Sequence, residues 1–280
     1  MNIINKGEKN MKNFKKITTL ILTVMFTGAL FAGCSSTQNT ATTPNSLDTV
    51  KKAGTIRFGL DDSYPPFESR NDKNELVGFD IDLGNKIAEK IGVKAEYITT
   101  DFNGIILALK SPKFDAILSA LSITDARKKE ISFAGPYLMS GQVIIVKAGN
   151  TTIKTSADLK GKIVAAQLGS TGEEAAKKIA GTKEIKSYDK VPEELQDLLI
   201  GRVDAVVVDK PVGGYYIASK QDQYKVLSPQ LTEEPIGIGI KTENTDLQKE
   251  IQSIVDGYQK DGTLSKLSIK WFGYDAYTTK

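Results

Sequence analysis

From residue 55 to residue 219, short apolar runs alternate with stretches of helical periodicity, and this alternation limits the fold more than any other feature. Residues 55–60, 94–99, 114–118 and 141–147 read as strands. Phe79, Leu83, Ile87 and Ile91 recur every four residues and predict a helix with one buried face, and residues 102–109 predict a second. A further alternation follows: a strand over 163–167, helices over 171–179 and 191–200, a strand over 205–208 and a helix over 211–219. Strands separated by helices cannot pair as hairpins. They form mostly parallel sheets with helices on both faces, so the fold class is α/β.

The tail breaks the pattern. Residues 236–241 read as a strand, Leu247, Ile251, Ile254, Val255 and Tyr258 as one face of a helix, and Asp261-Gly262 as its stop. A last short helix ends at Lys270-Trp271-Phe272-Gly273.

The N-terminus lies outside this scheme. Lys12, Lys15 and Lys16 precede an apolar run over residues 17–32 and then Gly33-Cys34. A basic stretch, a short apolar segment and small residues read as a secretory signal rather than a membrane span. Met11 opens a complete signal of this kind and is the expected start. Removing residues 1–33 takes away five lysines and one glutamate from the 37 basic and 34 acidic residues. The remainder is close to neutral, with no basic patch for nucleic acid. Residues 35–46, rich in Ser, Thr, Asn and Pro, read as a flexible tether, and the whole stretch 34–49 is expected to precede the folded part. The chain holds no histidine and one cysteine, which excludes an internal disulfide, a His/Cys metal cluster and imidazole chemistry. Neither metal nor cofactor is expected.

Six stretches stand in order: Asp61-Asp62-Ser63-Tyr64-Pro65-Pro66-Phe67, Val77-Gly78-Phe79-Asp80-Ile81-Asp82-Leu83, Ser122-Ile123-Thr124-Asp125-Ala126-Arg127, Gly169-Ser170-Thr171, Gly201-Arg202-Val203-Asp204-Ala205 leading to Asp209, and Asp261-Gly262-Thr263 leading to Lys270-Trp271-Phe272. Together, over residues 50–275, they resemble the polar amino-acid branch of bacterial solute-binding proteins of ABC importers. Leu30-Phe31-Ala32-Gly33-Cys34 likewise resembles a bacterial lipobox, which implies cleavage before Cys34 and lipidation of its sulfur. The family resemblance implies a type II periplasmic-binding-protein-like fold of two lobes joined by two strands. Lobe 1 would comprise residues 50–140 and 235–280, and lobe 2 residues 141–234, with a ligand in the cleft.

The chemistry of a free amino acid can be matched to these stretches. An α-carboxylate suits the guanidinium fork of Arg127, although Arg127 also reads as a solvated charge in a basic helix. Gly169-Ser170-Thr171 opens a helix whose free N–H groups and Thr171 hydroxyl would face the same anion, or simply cap that helix. Asp209, at the end of the strand over 205–208, suits the α-ammonium, or caps the helix at Pro211. The resemblance adds the Ser122 hydroxyl and the Ala120 carbonyl to the ammonium shell, and Ser119 and Leu168 to the ligand-binding set. It makes Tyr64 and Phe102 the aromatic walls around the side chain, a role that core packing of either ring would replace. Asp61 would read the far end of the ligand, which favours a basic side chain (arginine or lysine), with glutamine or cystine as alternatives.

The resulting expectation is a monomeric extracytoplasmic receptor, anchored to the membrane through Cys34 and partnered by importer permease subunits. A second class is an enzyme resembling cyclohexadienyl dehydratase, which would need a general acid in the cleft beyond the carboxylates a ligand uses.

Overall fold

The computed structural model describes residues 46–278. In chain order the first stretch holds α1 (Ser46–Ala53), β1 (Thr55–Leu60), the short strands β2 (Ser63–Tyr64), β3 (Glu68–Arg70) and β4 (Leu76–Val77), α2 (Phe79–Ile91) and β5 (Lys94–Thr99). A 3-10 turn then leads into α3 (Ile105–Lys110), β6 (Ala116–Ile117), α4 (Asp125–Lys128) and β7 (Ser132–Ser140). The second stretch holds β8 (Gln142–Lys147), β9 (Ile163–Gln167), α5 (Thr171–Lys177), β10 (Glu184–Tyr188), α6 (Val191–Ile200), β11 (Ala205–Asp209), α7 (Lys210–Ser219) and β12 (Tyr224–Val226). The tail holds β13 (Glu234–Ile240), α8 (Thr245–Lys260) and α9 (Thr263–Phe272).

Two five-stranded sheets form among the described residues, in the orders β5-β1-β6-β13-β7 and β10-β9-β11-β8-β12. In each, four strands run in one direction and one runs against them, β13 in the first sheet and β8 in the second. The central strands are mostly apolar, as burial on both faces demands: β11 reads Ala-Val-Val-Val-Asp and is buried along its length. The tail strand β13 inserts into the first sheet, which is why the alternation stops there.

The chain passes between the sheets twice, at Gly141 and over residues 227–233, and the two passages touch. Gln142 N donates to Thr232 Oγ1 at 2.9 Å and Leu231 N to Gln142 O at 2.7 Å. A Cβ on Gly141 would lie 1.9 Å from the Thr232 carbonyl oxygen, so only glycine permits this approach.

Helix α2 buries the face its periodicity marks, with Phe79, Leu83 and Ile87 fully enclosed, and ends at Gly92 in the left-handed region. Phe79 stacks on Phe272 at 4.9 Å and on Tyr137 at 5.9 Å, which fixes the C-terminal helix to the first sheet's layer.

The structure corrects the reading at one boundary. Residues 46–49, assigned to the tether, are the first turn of α1. Leu47 N donates to Asp246 Oδ2 at 2.8 Å, Ser46 bonds the same carboxylate, and Val50 is buried. A Ser-rich composition masked a helix start held by a partner 200 residues away. The signal segment, Cys34 and the rest of the tether lie outside the described residues. No described helix is long and apolar enough to cross a membrane.

Candidate functional site

The carboxyl ends of four parallel strands converge. Asp61 and Tyr64 follow β1, the loop from Ser119 to Ser122 follows β6, Leu168 and Thr171 follow β9, and Asp209 ends β11. This edge is where open α/β sheets bind ligands. The first sheet's loops meet the second's directly: Tyr64 Oη donates to Asp209 Oδ2 at 2.7 Å, Ser122 Oγ lies 3.2 Å from Thr171 Oγ1, and Gln167 Nε2 donates to Asp61 Oδ2 at 2.8 Å.

Two buried charges of opposite sign stand at this junction. Arg127 is 8% exposed; Nη1 donates to Ser122 O at 2.8 Å and Nη2 to Gly169 O at 3.0 Å, and the guanidinium carbon stands 5.5 Å from the Phe102 ring centre. Burial lowers its pKa. Asp209 is 5% exposed and is bonded by Tyr64 and, at 3.3 Å, by Ser140 Oγ. Burial raises its pKa to about 6, although the Tyr64 bond works the other way. Asp209 occupies the position before α7, yet its side chain makes no capping bond, which removes the capping explanation. Among the described residues neither charge has an oppositely charged partner within ion-pair distance.

The loop from Ser119 to Ser122 is held from behind. Ala120 has φ +44°, a strained value for a residue with a Cβ, and its N–H donates to Asp80 Oδ2 at 2.8 Å. Ser119, expected in the ligand-binding set, has its hydroxyl donating to Glu68 Oε1 at 2.6 Å and accepting from Asp61 N at 3.0 Å, bonds that brace the loop. Glu68 and Asp80 are both fully buried. Desolvation raises both acids, Asp80 to about 7.

At the far end, Asp61 is buried, but its carboxylate is already engaged. Oδ1 accepts from Lys190 Nζ at 3.0 Å, from Ser63 N at 3.0 Å and from Ser63 Oγ at 2.7 Å; Oδ2 accepts from Gln167. Lys190 also lies 3.3 Å from Asp101. Burial alone would lower the Lys190 ammonium, but these carboxylates hold it above its usual value. Tyr64 is buried and stacked on Phe67 at 6.2 Å. Leu168 is half-buried, its N–H donating to Tyr188 O. Thr171 is buried, with its hydroxyl also accepting from Gln142 Nε2 at 3.1 Å, while Ser170 caps the seven-residue helix α5.

The residues missed from sequence are Gln142, Gln167, Lys190 and Glu194. Gln167 and Gln142 sit in apolar strands, where a buried amide is itself a signal. Glu194 falls on the buried stripe of α6 between Val191 and Leu195, where a charge is out of pattern.

Two crossing strands, two α/β lobes and unpaired charges of both signs between them define a two-lobed solute receptor. The chain belongs to the bacterial extracellular solute-binding proteins, family 3, whose model matches residues 56–274. It is 36% identical over 230 residues to the L-cystine-binding protein TcyJ of Escherichia coli (strain K12), covering 82% of this chain and 86% of that protein. An ancestral arginine-binding protein solved with arginine superposes with a TM-score of 0.75 at 43% identity, covering 79% of this chain and 99% of the other. The ancestral amino acid-binding protein AncCDT-1, described as a precursor of cyclohexadienyl dehydratase, superposes with a TM-score of 0.77 at 39% identity, covering 81% and 99%.

Proposed function

We propose that this chain is the extracytoplasmic receptor of an ABC importer and that it holds a free polar L-amino acid between its lobes. The observation that carries the reading is the pair Arg127 and Asp209, two buried charges of opposite sign without ionic partners. Isolated buried charges are costly. A zwitterionic amino acid head answers both, its carboxylate on the Arg127 fork and its ammonium on Asp209, with Ser122, Thr171 and the Ala120 carbonyl as neutral partners. Tyr64 and Phe102 would wall the side chain, with Leu168 beside them.

The ligand we favour is basic, arginine or lysine, with Asp61 toward its far end; relatives named for arginine support this class. Cystine is the second reading. The Asp61–Lys190 pair puts both signs at the far end, which suits a second amino acid head, and one relative is named for cystine. We read the chain as a binding protein and not an enzyme, because the polar groups around Arg127 and Asp209 answer an amino acid head without a reacting group. Lipidation at Cys34, a monomeric state and permease partners belong to the same reading.

A thermal-shift screen of the mature chain with the twenty amino acids and cystine tests it. A ligand at about 100 times its Kd stabilises by roughly 2.7 kcal/mol, a clear shift in Tm. No response to any amino acid would reject the receptor reading. Cys34→Ala should move the protein from the membrane to the soluble fraction.

A further inference from the structure

We propose that Glu194, on the second lobe's helix α6, is a specificity residue that takes a positively charged nitrogen at the far end of the ligand. The inference rests on the amino-acid receptor reading above and assigns the charge its site selects.

Helix α6 buries Val191, Leu195 and Leu198 against its own sheet. Glu194 lies on the same stripe, is 0% exposed, and neither carboxyl oxygen has a hydrogen-bond partner. One turn later, Asp197 shows how this helix treats a structural acid. Its oxygens accept from Lys186, Tyr188 and Arg202. A carboxyl enclosed without any donor costs stability and adds nothing to packing that an apolar residue would not add better. Such a group is retained where something else supplies the partner.

Its surroundings point to the partner. Helix α6 packs against β2, the strand of the first lobe that carries Tyr64. Glu194 is near enough to Tyr64 and to Tyr216 on α7 for its charge to push both phenols up, behind the larger effect of burial. Lys190, the extended residue immediately before α6, reaches Asp61. Asp61 has its cation; Glu194 has none. A ligand bringing a positive nitrogen gives Glu194 a partner, whereas a neutral amide leaves it without a counter-charge. Desolvation and neighbouring Glu193 raise the Glu194 pKa well above its usual range, the shift expected of a carboxyl enclosed without a cation.

The positive nitrogen has two sources: the side chain of arginine or lysine, or the second ammonium of cystine. Titration of the protein and its Glu194→Gln variant with arginine, its neutral isostere citrulline, and cystine separates them. The side-chain source predicts that Glu194→Gln loses at least tenfold in arginine affinity while citrulline stays within about threefold. The second-head source predicts the same loss for cystine, with arginine bound weakly by both forms. A packing role would weaken all three ligands alike or none, and either result overturns the proposal. Glu194→Gln keeps the shape and removes a buried acid, so it should unfold no earlier than the parent; a variant that unfolds earlier overturns the unpartnered-acid premise. If the parent binds glutamine or citrulline as tightly as arginine and cystine, Glu194 is not a charge reader, although the receptor stands. If it binds no amino acid, the receptor reading itself falls.

Discussion

The Tyr64 hydroxyl donates to Oδ2 of Asp209 at 2.7 Å, tying the loop after β1 to the end of β11 and holding a buried carboxylate at the junction of two lobes. That bond and the burial around it act on Asp209 in opposite directions.

The first prediction follows from Asp209, whose pKa is raised to about 6. An ammonium binds the ionised carboxylate, so amino acid affinity should be flat above about pH 7. It should fall as pH drops through 6, approaching tenfold per unit. Tyr64→Phe removes the bond that opposes protonation and should move the onset upward. Calorimetric titration from pH 5 to 8 measures both; a flat profile for the parent would rule out Asp209 as the ammonium site.

Arg127→Ala should weaken any amino acid ligand by more than a hundredfold, because it strands a carboxylate in a buried site. Arg127→Lys should recover only part, since a point charge cannot match two oxygens. Retention of affinity within about threefold in Arg127→Ala would remove the head-group assignment.

Lys190 competes with a basic ligand for Asp61. Lys190→Gln should therefore tighten arginine or lysine several-fold, whereas cystine would lose a partner for its second carboxylate and bind more weakly. The sign of the change decides between the two readings in one isothermal titration series.

The buried acids Glu68 and Asp80 make a separate prediction about stability. Folding raises both pKa values, Asp80 from 3.8 to about 7. Below pH 3.8 the folded and unfolded chains both hold the Asp80 proton. Between 4 and 7 the unfolded chain releases it first, so this contribution to stability declines as pH rises and levels off above 7. Urea unfolding of the parent and Asp80→Asn at pH 5 and pH 8 should show a difference that shifts toward the variant at the higher pH. A constant difference would mean that Asp80 is ionised throughout.

Much of the fold was legible because it follows from period. The α2 stripe and the apolar runs of β1, β9 and β11 need only local pattern. The small sheet of β2, β3 and β4 was not legible, since two- and three-residue strands carry no period, and α1 was hidden by polar composition. At the candidate site, motif and strand position single out Arg127 and Asp209, and both are buried. The bond from Ser119 to Glu68 was not legible, because one residue in a tight loop decides which way a hydroxyl points. Lys190 and Glu194 escaped because their significance depends on α6 meeting β2, a contact between distant segments that no local signal announces.

Strand β13 lies between β6 and β7 in the first sheet, and among the described residues β7 has no other sheet neighbour. During synthesis or export the chain emerges from its N-terminus, so residues 132–140 wait for residues 234–240 before they can pair. The second sheet, by contrast, is drawn from a single continuous stretch. The lobe that begins first is therefore completed last, and until the final fifth of the chain arrives its edge stays open. Closure of the first lobe therefore waits on pairing between segments far apart in the chain, which makes it the slower of the two sheets to form.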